Sequence, residues 1–88
     1  MAMKTPTLRT AEDTKAVEVA RVVEAANRCA RERGYDIATT LITITQSVDG
    51  TFWEIHYGPR VAAGGRGGDM SVEVDAVTAK VKRVLLGQ

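Results

Sequence analysis

From Thr10 to Arg33 the chain contains neither glycine nor proline, and its apolar residues keep a helical period. Val19, Val22, Val23, Ala26, Cys29 and Ala30 recur at spacings of three and four, which places them on one stripe of a helix. Glu18, Arg21, Glu24, Arg28, Arg31 and Glu32 fall mostly on the other side, with Glu24–Arg28 and Arg28–Glu32 spaced as i,i+4 pairs. Thr10-Ala11-Glu12-Asp13 is a form of the capping box with Asp in the last place, so the spacing predicts a helix beginning there. Gly34 supplies a left-handed residue to end it, after Arg31 and Arg33 in the last turn.

Beyond Gly34 the period changes to two. Ile37 to Val48 is rich in Ile, Leu, Thr and Val and reads as a long strand. Asp49-Gly50 is the two-residue signal of a type I′ hairpin. Thr51 to Tyr57 forms the return strand, with Trp53, Ile55 and Tyr57 on one face and Phe52, Glu54 and His56 on the other. Gly58-Pro59 closes it, because proline donates nothing to a ladder. Pro59 to Gly68, with four glycines, reads as a slack connection. A third strand, Asp69 to Val77, turns Met70, Val72, Val74 and Ala76 one way and Ser71, Glu73 and Asp75 the other. A turn over Asp75–Lys80 leads to a short last strand, Val81 to Leu86.

The fold class implied is α+β: one long N-terminal helix packed on a three- or four-stranded antiparallel sheet. Residues 1–9 read as a lead-in and residues 10–88 as one domain. A chain of 88 residues buries roughly 60–65% of its unfolded surface, enough for one thin core. Alternation of this kind covers one sheet face and wets the other. The helix is the only element able to cover it, against Trp53, Ile55, Tyr57, Met70, Val72, Val74, Ile42 and Ile44.

The same segments resemble the PepSY-like modules, small α+β units with cystatin-like helix-on-sheet packing. The matching residues are Asp49-Gly50-Thr51-Phe52-Trp53-Glu54-Ile55 and Val72-Glu73-Val74-Asp75-Ala76-Val77-Thr78-Ala79-Lys80-Val81, within residues 12–86. Ala79 stands where those modules usually have Gly; a turn that needs positive φ would strain it. Small immunity proteins with a cone-shaped sheet and a Gly-Gly before the last hairpin, here Gly67-Gly68, are similar too. The resemblance implies binding or inhibition of a protein partner, and it implies no catalytic residues.

Single residues offer little chemistry. His56 shares a face with Glu54, and Glu73 or Asp75 could join it in a metal or acid–base site. The competing reading is an exposed strand histidine beside surface acids, since one His without a second His or Cys is a poor zinc signal. Cys29 could be a nucleophile beside Arg28 or Arg33, but it lies on the apolar stripe near a helix C-terminus, as a structural thiol would. Gly64-Gly65-Arg66-Gly67-Gly68, with Arg60 nearby, lacks the following helix that a phosphate loop needs. Lys80, Lys82 and Arg83 with Arg28, Arg31 and Arg33 could make a basic patch, yet the formal net charge is +1 and aromatics are not interleaved. Both facts argue against nucleic-acid binding. Trp53 and Tyr57 could line a small-molecule pocket, though core packing gives the same spacing.

The function expected is thus a non-enzymatic protein-interaction or inhibitory module. It would bind through the open sheet face or the glycine loop, with Phe52, Glu54, His56, Arg60 and Arg66 as contact residues. The alternative is a homodimeric ligand-binding domain or small enzyme with a pocket of His56, Glu54 and Trp53. No catalytic, cofactor or metal residues are assigned. An unpaired strand edge makes homodimerisation a second partner expectation. No apolar run reaches the roughly 20 residues of a membrane span, and Met1–Thr7 lacks the apolar region of a signal peptide, so a cytoplasmic location is expected.

Overall fold

In the computed structural model, residues 7–59 and 68–87 are described. Nothing between Pro6 and Gly34 interrupts helical backbone, and α1 occupies Thr7–Glu32. It therefore starts before the expected box at Thr10–Asp13, and its first turn carries no acid. Absence of a breaker outweighed the capping signal. Gly34, at φ 96°, ends the helix as expected. Tyr35 N–H donates to Ala30 O and Gly34 N–H to Arg31 O, both at 3.0 Å, the paired bonds of a Schellman cap.

The expected strand from Ile37 to Val48 is shorter in the structure. Asp36 accepts a bond from Ala38 N–H and caps a 3-10 turn over Ile37–Thr39, which leaves β1 as Thr40–Gln46. The side-chain cap competes with the strand backbone and wins the first three residues. β2 is Phe52–Pro59, β3 Met70–Asp75 and β4 Val81–Leu86. The four run antiparallel in the order β1-β2-β3-β4, one α+β meander behind one helix.

The first hairpin is not type I′, which requires positive φ at both central residues. Only Gly50 has it, at 76°. Ser47 O accepts from Gly50 N–H at 3.0 Å, and Ser47 N–H donates to Phe52 O at 2.9 Å, so four residues form the loop. Asp49 Oδ1 stabilises that wider loop by accepting from Thr51 N–H, Thr51 Oγ1 and Ser47 Oγ at 2.8–3.0 Å.

Dimensions decide what the helix covers. At 1.5 Å per residue its 26 residues span about 39 Å, while strands of six to eight residues reach about 20–27 Å. The first turns overhang the sheet, and residues 12–17 are all exposed. Across the sheet, a helix about 10 Å wide covers two strands spaced about 4.8 Å apart, not four. Val22, Ala26 and Ala30 are fully buried against Ile55, Tyr57, Met70, Val72 and Val74, with Trp53 beside them. Trp53–Val74, Ile55–Val72 and Tyr57–Met70 are directly opposed, so β2 and β3 supply the covered face.

Six of the eight expected core residues are in this cluster. Ile42 is half-buried beside it, whereas Ile44 is 41% exposed, because β1 is an edge strand that the buried stripe of α1 does not cover. Glu73, expected on a wet face, is 8% exposed. A carboxylate this enclosed needs a partner, and Arg83 supplies one from β4 at 3.0 Å.

Polar tips of the core aromatics are satisfied by the helix. Trp53 Nε1 donates to Glu18 Oε2 and Tyr57 OH to Asn27 Oδ1, each at 2.7 Å. Burial pushes the Tyr57 phenol well above its ordinary range. Among the described residues every buried side-chain polar atom has a partner.

The β3–β4 turn takes the positive φ at Ala79, 60°, and the methyl packs against the core margin. Left-handed backbone costs a non-glycine residue about 1–2 kcal/mol, but glycine there would forfeit the methyl contact and gain unfolded-state freedom. We therefore expect Ala79→Gly to lie within about 1 kcal/mol of the native chain and Ala79→Val to cost about 1–3 kcal/mol in urea unfolding. Trp53→Ala should cost about 3–5 kcal/mol in the same measurement, a loss set by its near-complete burial.

Candidate interaction surface

Since Trp53, Ile55 and Tyr57 lie under the helix, their neighbours Phe52, Glu54 and His56 project from the other side of β2. Pairing extends this face into rows. Thr45, Glu54, Glu73 and Arg83 form one; Thr43, His56, Ser71 and Leu85 form the next; Phe52 lies opposite Asp75 at the hairpin end. No described element packs over these rows.

Phe52 is half-buried rather than bare. A register shift at Glu73/Val74 pairs Glu73 with Arg83 and Val74 with Val81, so Lys82 is the extra residue. Its Nζ sits 4.8 Å from the Phe52 ring centroid, a cation–π contact of about 0.5–1 kcal/mol at a site this open. Arg83, the next residue, reaches Glu73 with Nε at 3.3 Å and Nη2 at 3.0 and 3.2 Å. Hydrogen bonding to Glu73 raises the Arg83 pKa. The bulge thus aims two consecutive cations at one face, an outcome strict alternation does not predict.

His56 Nε2 lies 3.3 Å from Asp69 Oδ2, just before β3. Glu54 faces Glu73 and Thr45. Glu73 is engaged with Arg83 and Asp75 with the turn, so neither joins His56. Among the described residues no three His, Cys, Asp or Glu side chains form a group able to hold a metal. Trp53 faces the helix and His56 faces away, so a pocket shared by Trp53, Glu54 and His56 does not exist in this geometry. An open groove of about 460 Å³ lies elsewhere, between the overhanging helix (Asp13, Thr14, Val17, Glu18, Arg21) and the β3–β4 turn (Ala76, Val77).

Lys82 and Arg83 are on the open face while Arg28 and Arg31 ride on the helix behind it, and Arg28 pairs with Glu24 at 3.6 Å. The six cations do not form one patch. Cys29 is half-buried against the core. Arg60, Arg66 and positions 64, 65 and 67 of the glycine run lie outside the described residues. Gly68 is described, and its carbonyl accepts from Tyr35 OH at 2.6 Å.

Comparison of the chain with family models, with curated proteins and with solved structures gives no match. Among the described residues no helix is long and apolar enough to cross a membrane.

Asp75 anchors the turn that carries Lys82 and Arg83 into place. Its Oδ1 accepts from Val77 N–H and Thr78 N–H, both at 2.8 Å. Bonds from the Thr78 and then the Val77 backbone hold its carboxyl below its ordinary value of 3.8. A carboxyl with a depressed folded pKa contributes stability above its unfolded value and loses it as pH falls through the folded value. Chemical unfolding between pH 5 and 2 should therefore show stability falling from about 3.8 downward, with a shallower slope in Asp75→Asn.

Proposed function

We propose that this chain is a non-enzymatic protein-interaction module of the PepSY-like kind, whose partner docks on the open face of the sheet around Phe52. The observation that carries this reading is the pairing of an uncovered four-stranded face with an aromatic ring at its hairpin end, stacked under Lys82. Aromatic residues are enriched at protein interfaces, where a ring partly open to solvent can be covered by a partner. Glu54 and the His56–Asp69 pair continue the same face of β2 with polar groups able to bond a partner's backbone or side chains. A filled core under α1 supports a rigid platform: the helix locks β2 and β3 from behind and leaves the front for contact.

The experiment is affinity capture from the source cell with the native chain, Phe52→Ser and Val17→Ser, the last an exposed site on the helix behind the sheet, read by quantitative mass spectrometry. A docking partner should be retained by the native chain and by Val17→Ser, and depleted at least about tenfold by Phe52→Ser, a loss of about 1.4 kcal/mol. The melting temperature of Phe52→Ser should fall by only a few degrees, because the ring is half-buried. Equal capture by Phe52→Ser and the native chain would refute the face.

A further inference from the structure

The two outer edges of the sheet are built differently. β4 carries the register shift, with Lys82 and Arg83 beside it. A bulge and a lysine are devices by which natural sheets stop an edge from pairing. β1 has neither. Its seven residues, Thr40–Gln46, contain no charge, no proline and no glycine. They pair with β2 from Thr40–Pro59 to Gln46–Trp53 in one unbroken register. Leu41 is 55% exposed and Ile44 41%. Among the described residues no strand lies beyond β1.

Backbone direction adds a second constraint. Ser47 N–H donates across the hairpin to Phe52 O at 2.9 Å. In an antiparallel ladder the inward-pointing groups recur at every second residue. Thr45, Thr43 and Leu41 thus direct their N–H groups at β2, and Ile42, Ile44 and Gln46 direct theirs outward; Thr40 N–H donates to Ile37 O and closes the 3-10 turn.

We propose that β1 pairs with β1 of a second copy of this chain, antiparallel about a two-fold axis at Thr43, joining two sheets into one of eight strands. In that register Ile42 faces Ile44 of the second copy, and Thr40 faces Gln46. Each Ile42–Ile44 pair can exchange both of its bonds, and Gln46 N–H can donate to Thr40 O of the second copy, while Thr40 N–H stays with Ile37 O of its own chain. Thr43 meets its own counterpart at the intervening position, which in an antiparallel ladder makes no bond. Side chains agree with the backbone. Ile42 and Ile44 meet on the helix side, where α1 leaves Ile44 uncovered, and Leu41 meets Thr45 on the open side. No like charges are opposed, whereas β4 against β4 would crowd Lys82 and Arg83 of both copies. The self-complementarity of Thr40–Gln46, apolar against apolar about a central Thr43, selects a second copy over an unrelated strand. The axis stands perpendicular to the sheet, so both helices lie on one side and the two Phe52 faces on the other.

Sedimentation velocity on the full chain should give twice its 9.5 kDa mass at micromolar concentration. Thr43→Lys sets two ammonium groups against each other on the axis and should weaken the dimer at least about tenfold. Leu85→Lys, on the other edge, should leave the mass unchanged. Thr43 is exposed, so circular dichroism should show the native fold in the variant. Amide exchange should protect Ile42 and Ile44 in the native chain and release them in Thr43→Lys. A monomer at about 0.1 mM, a dimer that survives Thr43→Lys, or an open-ended assembly would each overturn the proposal.

Discussion

One helix is narrower than four strands, and most of this structure follows from that mismatch. Ala26 and Ala30 present only a methyl each, so the backbone of α1 can settle closely onto the core face of β2 and β3, with Val22 filling the space one turn earlier. Close approach gives dense packing over β2 and β3. It also confines the apolar shelter to the middle of the sheet. Leu86, at 63% exposure, and Ile44 lie on the same side as the core but outside its cover. The edge strands are therefore held mainly by backbone pairing and by their inner neighbours.

Polar contacts finish what apolar packing begins. Trp53, Tyr57 and Tyr35 each put a ring at the core and hand a polar atom outward, to Glu18, Asn27 and the Gly68 carbonyl. Tyr35 and Tyr57 also approach with ring centroids 6.1 Å apart, tilted at 54°. The result is a row of tethers from the overhanging part of α1 to the chain entering β3. Lys15 extends it, with Nζ 3.2 Å from Gln46 Oε1 and 5.7 Å from the Trp53 ring centroid. On the front of the sheet the Glu73–Arg83 pair holds β4 to β3 where the bulge would otherwise loosen the ladder.

The helix stripe and the inward residues of β2 and β3 were legible in the sequence because burial repeats with the period of the backbone. What periodicity could not carry was width: nothing in Ile44 itself separates it from Ile55, and only its place on an edge strand exposes it. Local competition was hidden for the same reason. Asp36 diverts the start of β1 into a 3-10 turn, and Ser47 and Asp49 widen a loop that Asp-Gly alone would make tight. On the open face, Phe52, Glu54 and His56 could be placed from alternation alone. The Lys82 ring contact and the enclosure of Glu73 could not, since a bulge of one residue breaks the rule by which they would be found.

The chain has a single tryptophan, and its indole sits at the seam between α1 and β2, with Glu18 on its nitrogen. Light emitted by that ring therefore reports the seating of the helix and little else, while far-ultraviolet dichroism averages over helix and strands together. A gap between the two signals during heating would separate a helix that has lifted away from a sheet that has come apart.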